Sequence, residues 1–189
     1  MSQPTLLISL TADNWKMDYT CIQVVMEMTI EPVQNESEIK VIVNLAYEIW
    51  NEHFIPIIGK AQVDYMLEEF QSGKAMSEQI EDGFLYYLIR IDNDSIGYIG
   101  IHPERDELFL SKIYIRSSER GKGYGRKAIQ FLEKLAREKG LIKITLTVNK
   151  NNTDTIKAYE KFGFKNLGSV VQDIGNGFIM DDYRMEKTI

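Results

Sequence analysis

The sequence has a single cysteine in 189 residues, Cys21, which excludes an internal disulfide framework and a multi-thiolate metal centre. No metal is expected, and a reducing cytoplasm fits. No apolar run approaches the roughly 20 residues that a spanning helix needs, so no membrane segment is expected. Positive charge is also short. Lys and Arg number 22 against 28 Asp and Glu, and the net charge of −6 removes general electrostatic support for a nucleic-acid-binding surface. The start of the chain lacks the positively charged opening of a secretory leader, and Asp13, Lys16 and Asp18 interrupt what would have to be its apolar core. Met26 and Met28 stand directly before a strand-like stretch. Residues 1–25 are therefore expected to be an extension outside the fold, vector-derived or from an upstream start and poorly tied down, ahead of a domain at 26–189.

What is present has the balance of one globular domain, with 44% hydrophobic and 26% charged residues and enough length for a sizeable core. Met28–Val33 reads as a strand. Asn35 with Glu38 makes a capping-box-like start, and Ile39, Ile42, Val43, Ala46, Ile49 and Trp50 then predict a helix over 36–52. Pro56 and Gly59 break the chain. Val63, Met66, Leu67 and Phe70 mark a second helix ending near Ser72-Gly73, and a short third piece covers 74–81. From Phe84 the period becomes that of strands: a hairpin over 84–91 and 96–101, then a third antiparallel strand over 107–115. A helix carrying Ala128, Phe131, Leu132, Leu135 and Ala136 closes at Gly140, and the alternating Ile142, Ile144, Leu146 and Val148 form a strand parallel to the one before it. A helix over 154–162 follows, and two last strands flank Gly175-Asn176-Gly177.

The stretch Leu110–Gly125 carries the most specific chemistry. A strand delivers the chain to glycines at 121, 123 and 125, and a helix begins at Arg126. Such a junction is an anion cradle: glycine-loop and first-turn N–H groups lack partners, and the helix dipole adds about half a positive charge. Arg120, Lys122, Arg126 and Lys127 reinforce it, so the expected guest is a phosphate or pyrophosphate. The P-loop pattern is absent. The dinucleotide fingerprint is nominally present as Gly123, Gly125 and Ala128, but Thr145 and Thr147 stand where that reading wants an acid.

The spacing Arg120-x-x-Gly123-x-Gly125 after an apolar strand resembles the coenzyme A pyrophosphate loop of the GNAT superfamily of N-acetyltransferases. A second segment, Asn152 through Tyr159 to Phe162-Gly163-Phe164, is similar to that superfamily's downstream motif. The resemblance runs from about Met28 to the C-terminus. It implies an α/β (α+β) fold: one domain with a mixed, mostly antiparallel sheet, one parallel splayed strand pair, and flanking helices. It also implies acetyl-CoA as cofactor, its arm lying in the gap between the splayed strands. The cofactor-binding residues would be Ile113, Tyr114, Ile115, Arg120, Gly121, Lys122, Gly123, Tyr124, Gly125, Arg126, Asn152 and Tyr159. Catalysis would use the backbone N–H near Ile113 for the developing oxyanion and Tyr159 as general acid to the leaving sulfur. Packing alone is the plain alternative for Tyr159, and helix capping for Asn152.

In the superfamily the first helices and their loop wall the acceptor site, which makes His53, Phe54, Tyr65 and Glu69 candidates to face a substrate, with core packing or a solvated face as the alternative for each. The last hairpin borders the same site, where Asp173, Asp181 and Asp182 could hold a cationic amine. An amine of pKa near 10.4 is neutral in only about one molecule in a few thousand at pH 7, so a base is expected. In the polyamine acetyltransferases of the superfamily a glutamate stands nine residues before the loop arginine; here that position is Ser111. The base is left among Glu107, His53, Asp173, Asp181 and Asp182. Trp50–Phe54 and the run from Gly177 to Asp182 are faintly similar to the bacterial polyamine branch. The expected partner is a small-molecule or peptide amine, with no nucleic acid or membrane and a homodimer as a possible assembly. The competing reading, which Ser111 keeps open, is a CoA-binding sensor or regulatory module without turnover.

Overall fold

A computed structural model describes residues 27–189; the extension expected at 1–25, with Cys21, lies outside the described residues. The elements run β1 (Met28–Pro32), α1 (Glu36–His53), α2 (Ile55–Ile58), α3 (Lys60–Gln71), α4 (Gly73–Glu81), β2 (Leu85–Ile91), β3 (Asp94–Glu104), β4 (Glu107–Ile115), α5 (Tyr124–Glu138), β5 (Lys143–Asn149), α6 (Thr153–Lys161), β6 (Lys165–Gly175) and β7 (Phe178–Thr188). The strands make one sheet in the order β1-β2-β3-β4-β5-β7-β6, antiparallel throughout except for β4 with β5. The expected single α/β domain with a mixed sheet is what the chain forms.

Strand alternation sends side chains to two cores. On one face Ile89, Ile99, Ile101, Leu108, Ile144 and Leu146 meet Ala128, Ile129, Leu132 and Ala136 of α5. On the other, Tyr86, Leu88 and Tyr98 meet Ile42, Leu45, Ala46, Ile49 and Trp50 of α1, with Val63 and Met66 of α3. The first helix begins as its sequence requires: the Asn35 side chain accepts from the Glu38 N–H, and Glu38 returns the bond to the Gln34 N–H at 2.8 Å.

Three local features depart from the sequence pattern. Pro56 sits in the first turn of the short helix α2, where its missing N–H leaves no bond unmade, and Gly59, at φ +83°, turns the chain into α3. The helix after the glycine loop starts at Tyr124, ahead of Arg126, because Gly123 at φ +88° takes the cap position. In β4 the pairing with β3 passes from Ile101↔Leu110 to Gly100↔Lys112, which leaves Ser111 as the extra residue of a β-bulge. The bulge reverses the alternation. Leu108 and Leu110 face α5; beyond Ser111, Ile113 and Ile115 take that face while Tyr114 turns to the α1 side.

Candidate active site

The parallel pairing of β4 with β5 covers only Glu107–Phe109 against Lys143–Thr145, after which the strands part. β5 is held on its far side by β7 as far as Asn149↔Asp182, so the gap opens between β4 and a fixed β5. The Arg116 N–H donates to Ile96 O of β3 at 2.9 Å. With a two-residue repeat, the N–H groups of Ile113 and Ile115 therefore point away from β3, into the gap. A cleft of about 1170 Å³ fills this opening and runs from the glycine loop to Gln71 of α3.

At one end the loop presents bare backbone. A Cβ built at Gly121, Gly123 or Gly125 would meet nothing within 4 Å, and all three glycines line the cleft with Arg120 and Arg126. Arg120 is fixed by its Nε bond to Ile115 O at 2.9 Å, and Arg126 lies 5.4 Å from the Phe162 ring. These residues fit a pyrophosphate: open N–H groups at a helix start with two guanidiniums beside them. Two expected members stand apart. Lys122 is held by the Glu119 carboxylate at 3.0 Å, and Tyr124 packs against the α5-side core.

Across the gap, Asn152 opens α6 but its side chain makes no capping bond. Its Oδ1 instead lies 3.3 Å from His53 Nε2, and His53 Nδ1 lies 3.1 Å from Arg120 Nη1. His53 is thus set between the loop and α6, on the cofactor side of the opening. Two turns further along α6, Tyr159 is 9% exposed, with its ring 5.4 Å from Phe164. Burial raises its pKa, no hydrogen bond offsets this, and the phenol keeps its proton.

The other end of the cleft is walled by α1, α3 and the last hairpin, through Trp50, Phe54, Met66, Phe70, Gln172 and Ile174. Strand alternation separates the two candidate carboxylates of β7. Asp181 points outward, pairs with Lys150 and does not line the cleft. Asp182 points inward and is 4% exposed, with its Oδ1 buried and without a hydrogen-bond partner. Burial raises its pKa to about 6; the Thr147 hydroxyl works against this, Asp181 adds to it, and Lys150 opposes it. The Tyr114 phenol is raised by burial first, then by Tyr159 and Asp182, which brings these three groups into one neighbourhood.

The remaining candidates are engaged elsewhere. Glu107 accepts from Thr145 at 3.1 Å and Arg184 at 3.1 Å, at the closed end of the strand pair. Asp173 lines the cleft but accepts from the Gly175 N–H at 2.8 Å. Tyr65 donates to Ile174 O at 2.5 Å and tethers α3 to the hairpin, and Glu69 lies outside the cleft. Ser111 lines it from the bulge. Lys112, the residue after it, lines the cleft too; a regular alternation along β4 gave no reason to look for it there.

A loop whose open backbone fits a pyrophosphate, at the mouth of a splayed parallel strand pair, defines a class of coenzyme-handling fold. The chain belongs to the acetyltransferase (GNAT) family, whose model matches residues 43–164. It is 32% identical over 84 residues to the N-acetyltransferase YycN of Bacillus subtilis, a match covering 42% of this chain and 54% of YycN. It is 23% identical over 150 residues to a spermidine N(1)-acetyltransferase of Thermoplasma acidophilum, covering 76% of this chain and 90% of that protein. The chain thus spans little more than half of YycN. Among solved structures, it shares its fold with the PaiA N-acetyltransferase of Thermoplasma acidophilum in complex with coenzyme A. There the TM-score is 0.73 at 21% identity, over 87% of this chain and all of that one. The spermidine N-acetyltransferase of Vibrio cholerae in complex with CoA and spermine gives a TM-score of 0.64 at 20% identity, over 85% and 95%.

Proposed function

We propose that this protein is an acetyl-CoA-dependent N-acetyltransferase that acetylates a primary amine of a small molecule or an exposed protein amine by direct attack in a ternary complex. One observation carries the reading. A protonated phenol, Tyr159, and a carboxylate with an unpartnered oxygen, Asp182, face one cleft where β4 and β5 part, beside the cradle. Family membership supports the donor, and the bare glycine loop with Arg120 and Arg126 supports a coenzyme A pyrophosphate at that end.

When bound, acetyl-CoA supplies the activated acetyl thioester. The chain's own residues then divide the work. The Ile113 N–H, open to the gap, donates to the carbonyl oxygen as it gains negative charge; a donor of this kind is commonly worth roughly 3 kcal/mol. Asp182 takes a proton from the amine. Neutralising an ammonium of pKa near 10.4 at pH 7 costs about 4.6 kcal/mol in bulk water, and burial narrows this by disfavouring both charged partners. Tyr159 holds a proton for the departing sulfur. Ser111 leaves the strand position without a carboxylate, and Asp182 supplies one from β7 instead.

The test is thiol release from acetyl-CoA with a panel of diamines, amino acids, aminoglycosides and peptides. Release above hydrolysis with at least one acceptor is expected. Tight coenzyme A binding without release from any of them would replace this reading with a coenzyme A sensor.

A further inference from the structure

The cleft continues past the reacting end, beneath α3, to a terminus lined by Met66, Phe70, Gln71 and Lys112. Lys112 is 5% exposed, and burial is the only influence on its ionisation; no carboxylate among the described residues pairs with it. Its ammonium donates instead to neutral oxygens, Gln79 Oε1 at 2.8 Å and Ser111 Oγ at 3.3 Å, and lies 5.7 and 5.4 Å from the Phe84 and Tyr86 rings. An ammonium has three N–H groups, so one remains. Gln71, 3% exposed, accepts from the Tyr98 hydroxyl at 3.1 Å through its Oε1, while its amide N–H groups find no acceptor among the described residues.

The residues that support these two donors are neighbours by register. Tyr98 and Gly100 lie two residues apart on one face of β3; Tyr98 holds Gln71, and Gly100 makes room for Lys112, since a Cβ there would sit 3.2 Å from Lys112 Cδ. The bulge at Ser111 is what turns Lys112 to this face. Lys112 and Gln71 thus keep donors to spare at an end of the cleft that Ser111 and Gln172 also line, and no carboxylate among the described residues pairs with Lys112. Burial lowers the Lys112 pKa to about 8, which leaves it mostly charged at pH 7.

We propose that this terminus binds a carboxylate, so that the acceptor is a primary amine carrying a carboxylate several bonds from its nitrogen. The inference rests on the acetyl-transfer reading and names its substrate class. Tyr114, beside Asp182, and Lys112 are two residues apart on β4, about 7 Å of strand, which sets the spacing between the amine and the anion. A diamine in the same pose would bring a second ammonium against Lys112, an unscreened like-charge contact. A carboxylate supplies the counter-charge and stabilises the ammonium form of Lys112.

The experiment uses matched acceptors of four to six carbons that differ only at the far end: ω-aminocarboxylates such as 5-aminopentanoate, n-alkylamines, and diamines. The expected result is a kcat/KM for the aminocarboxylate about tenfold or more above the alkylamine, with the diamine lowest. In Lys112→Met, and in Lys112→Gln should the first not fold, that ratio falls toward one. Calorimetric titration of 5-aminopentanoate into the coenzyme A complex gives a readout without turnover, with binding weakened about tenfold in either variant. Preferred use of the diamine, or an aminocarboxylate preference unchanged in both variants, overturns the proposal. Lys112-dependent binding without thiol release keeps the carboxylate site and removes the acetyl-transfer reading; turnover without a carboxylate preference does the reverse. Neither binding nor turnover of the aminocarboxylate removes both.

Discussion

His53 Nδ1 accepts a hydrogen bond from the Arg120 guanidinium at 3.1 Å, because a guanidinium can only donate. The proton of the neutral ring is then on Nε2, where it is donated to Asn152 Oδ1 at 3.3 Å. Burial and the Arg120 charge both lower the His53 pKa, which favours this neutral form. A single imidazole therefore joins the end of α1 to the glycine loop and to the start of α6. The three segments that would surround a bound coenzyme A are aligned by one side chain.

Removing that link should cost affinity for the cofactor. His53→Ala leaves Arg120 with its Ile115 bond alone and Asn152 without a partner, and the expected result is a Kd for coenzyme A about tenfold weaker, or roughly 1.4 kcal/mol. Calorimetric titration of wild type and variant measures it. An unchanged Kd would mean that the loop holds its geometry without the imidazole.

The cradle makes a sharper prediction. Gly123→Asp places a negative charge where a pyrophosphate is proposed, yet a Cβ at Gly123 meets nothing within 4 Å. Its fold cost is confined to the positive φ, about 1 kcal/mol, which aspartate tolerates better than most residues. Coenzyme A affinity should fall by two orders of magnitude or more while Tm drops by only a few degrees. Wild-type affinity in the folded variant would remove the pyrophosphate assignment.

The loop and the Asn152–Tyr159 segment were legible in the sequence because each is a short contiguous run whose spacing fixes which groups meet. The run of three antiparallel strands and the one parallel pair followed from strand spacing and the helical crossover, whereas the insertion of β7 between β5 and β6 did not. Other parts were not legible, for physical reasons. Asp181 and Asp182 are equivalent by composition; which one faces the cleft depends on the register of β7 against Asn149, a pairing between distant segments. The bulge at Ser111 leaves no mark in a strand that is apolar on both faces, and without it Lys112 reads as sharing the face of Leu108 and Leu110, against α5 and away from the α1 side. His53 could be placed near the site by its position at the end of α1, but its two partners lie 67 and 99 residues away in the chain.

Asp182, the proposed base, carries a cost to stability. Its folded-state pKa, about 6, lies above the ordinary aspartate value. Protonation therefore favours the folded state, and this contribution is full at low pH and lost as pH rises through about 6. Asp182→Asn should accordingly raise stability at pH 7.5 by about 1–2 kcal/mol, after allowing for solvent in the cleft, and the gain should shrink as pH falls from 6 to 4. Denaturant titrations at several pH values test the sign. In kinetics, a base at this position gives a kcat/KM that climbs through about 6 and then levels. Asp182→Asn should replace that profile with one rising steadily toward the pKa of the amine itself. A variant that keeps the wild-type profile would move the base elsewhere.

Steady-state kinetics of Tyr159→Phe, with the best acceptor from the panel, test most directly the central claim that the Tyr159 phenol is the general acid of acetyl transfer. The substitution removes one oxygen from a ring packed against Phe164 and leaves the packing in place. If the phenol protonates the leaving sulfur, kcat and kcat/KM should fall together by about 10² or more while the Kd for coenzyme A stays within a factor of about two. Turnover within a factor of about three of wild type would contradict it, and the proton on the sulfur would then have to come from water or from the amine.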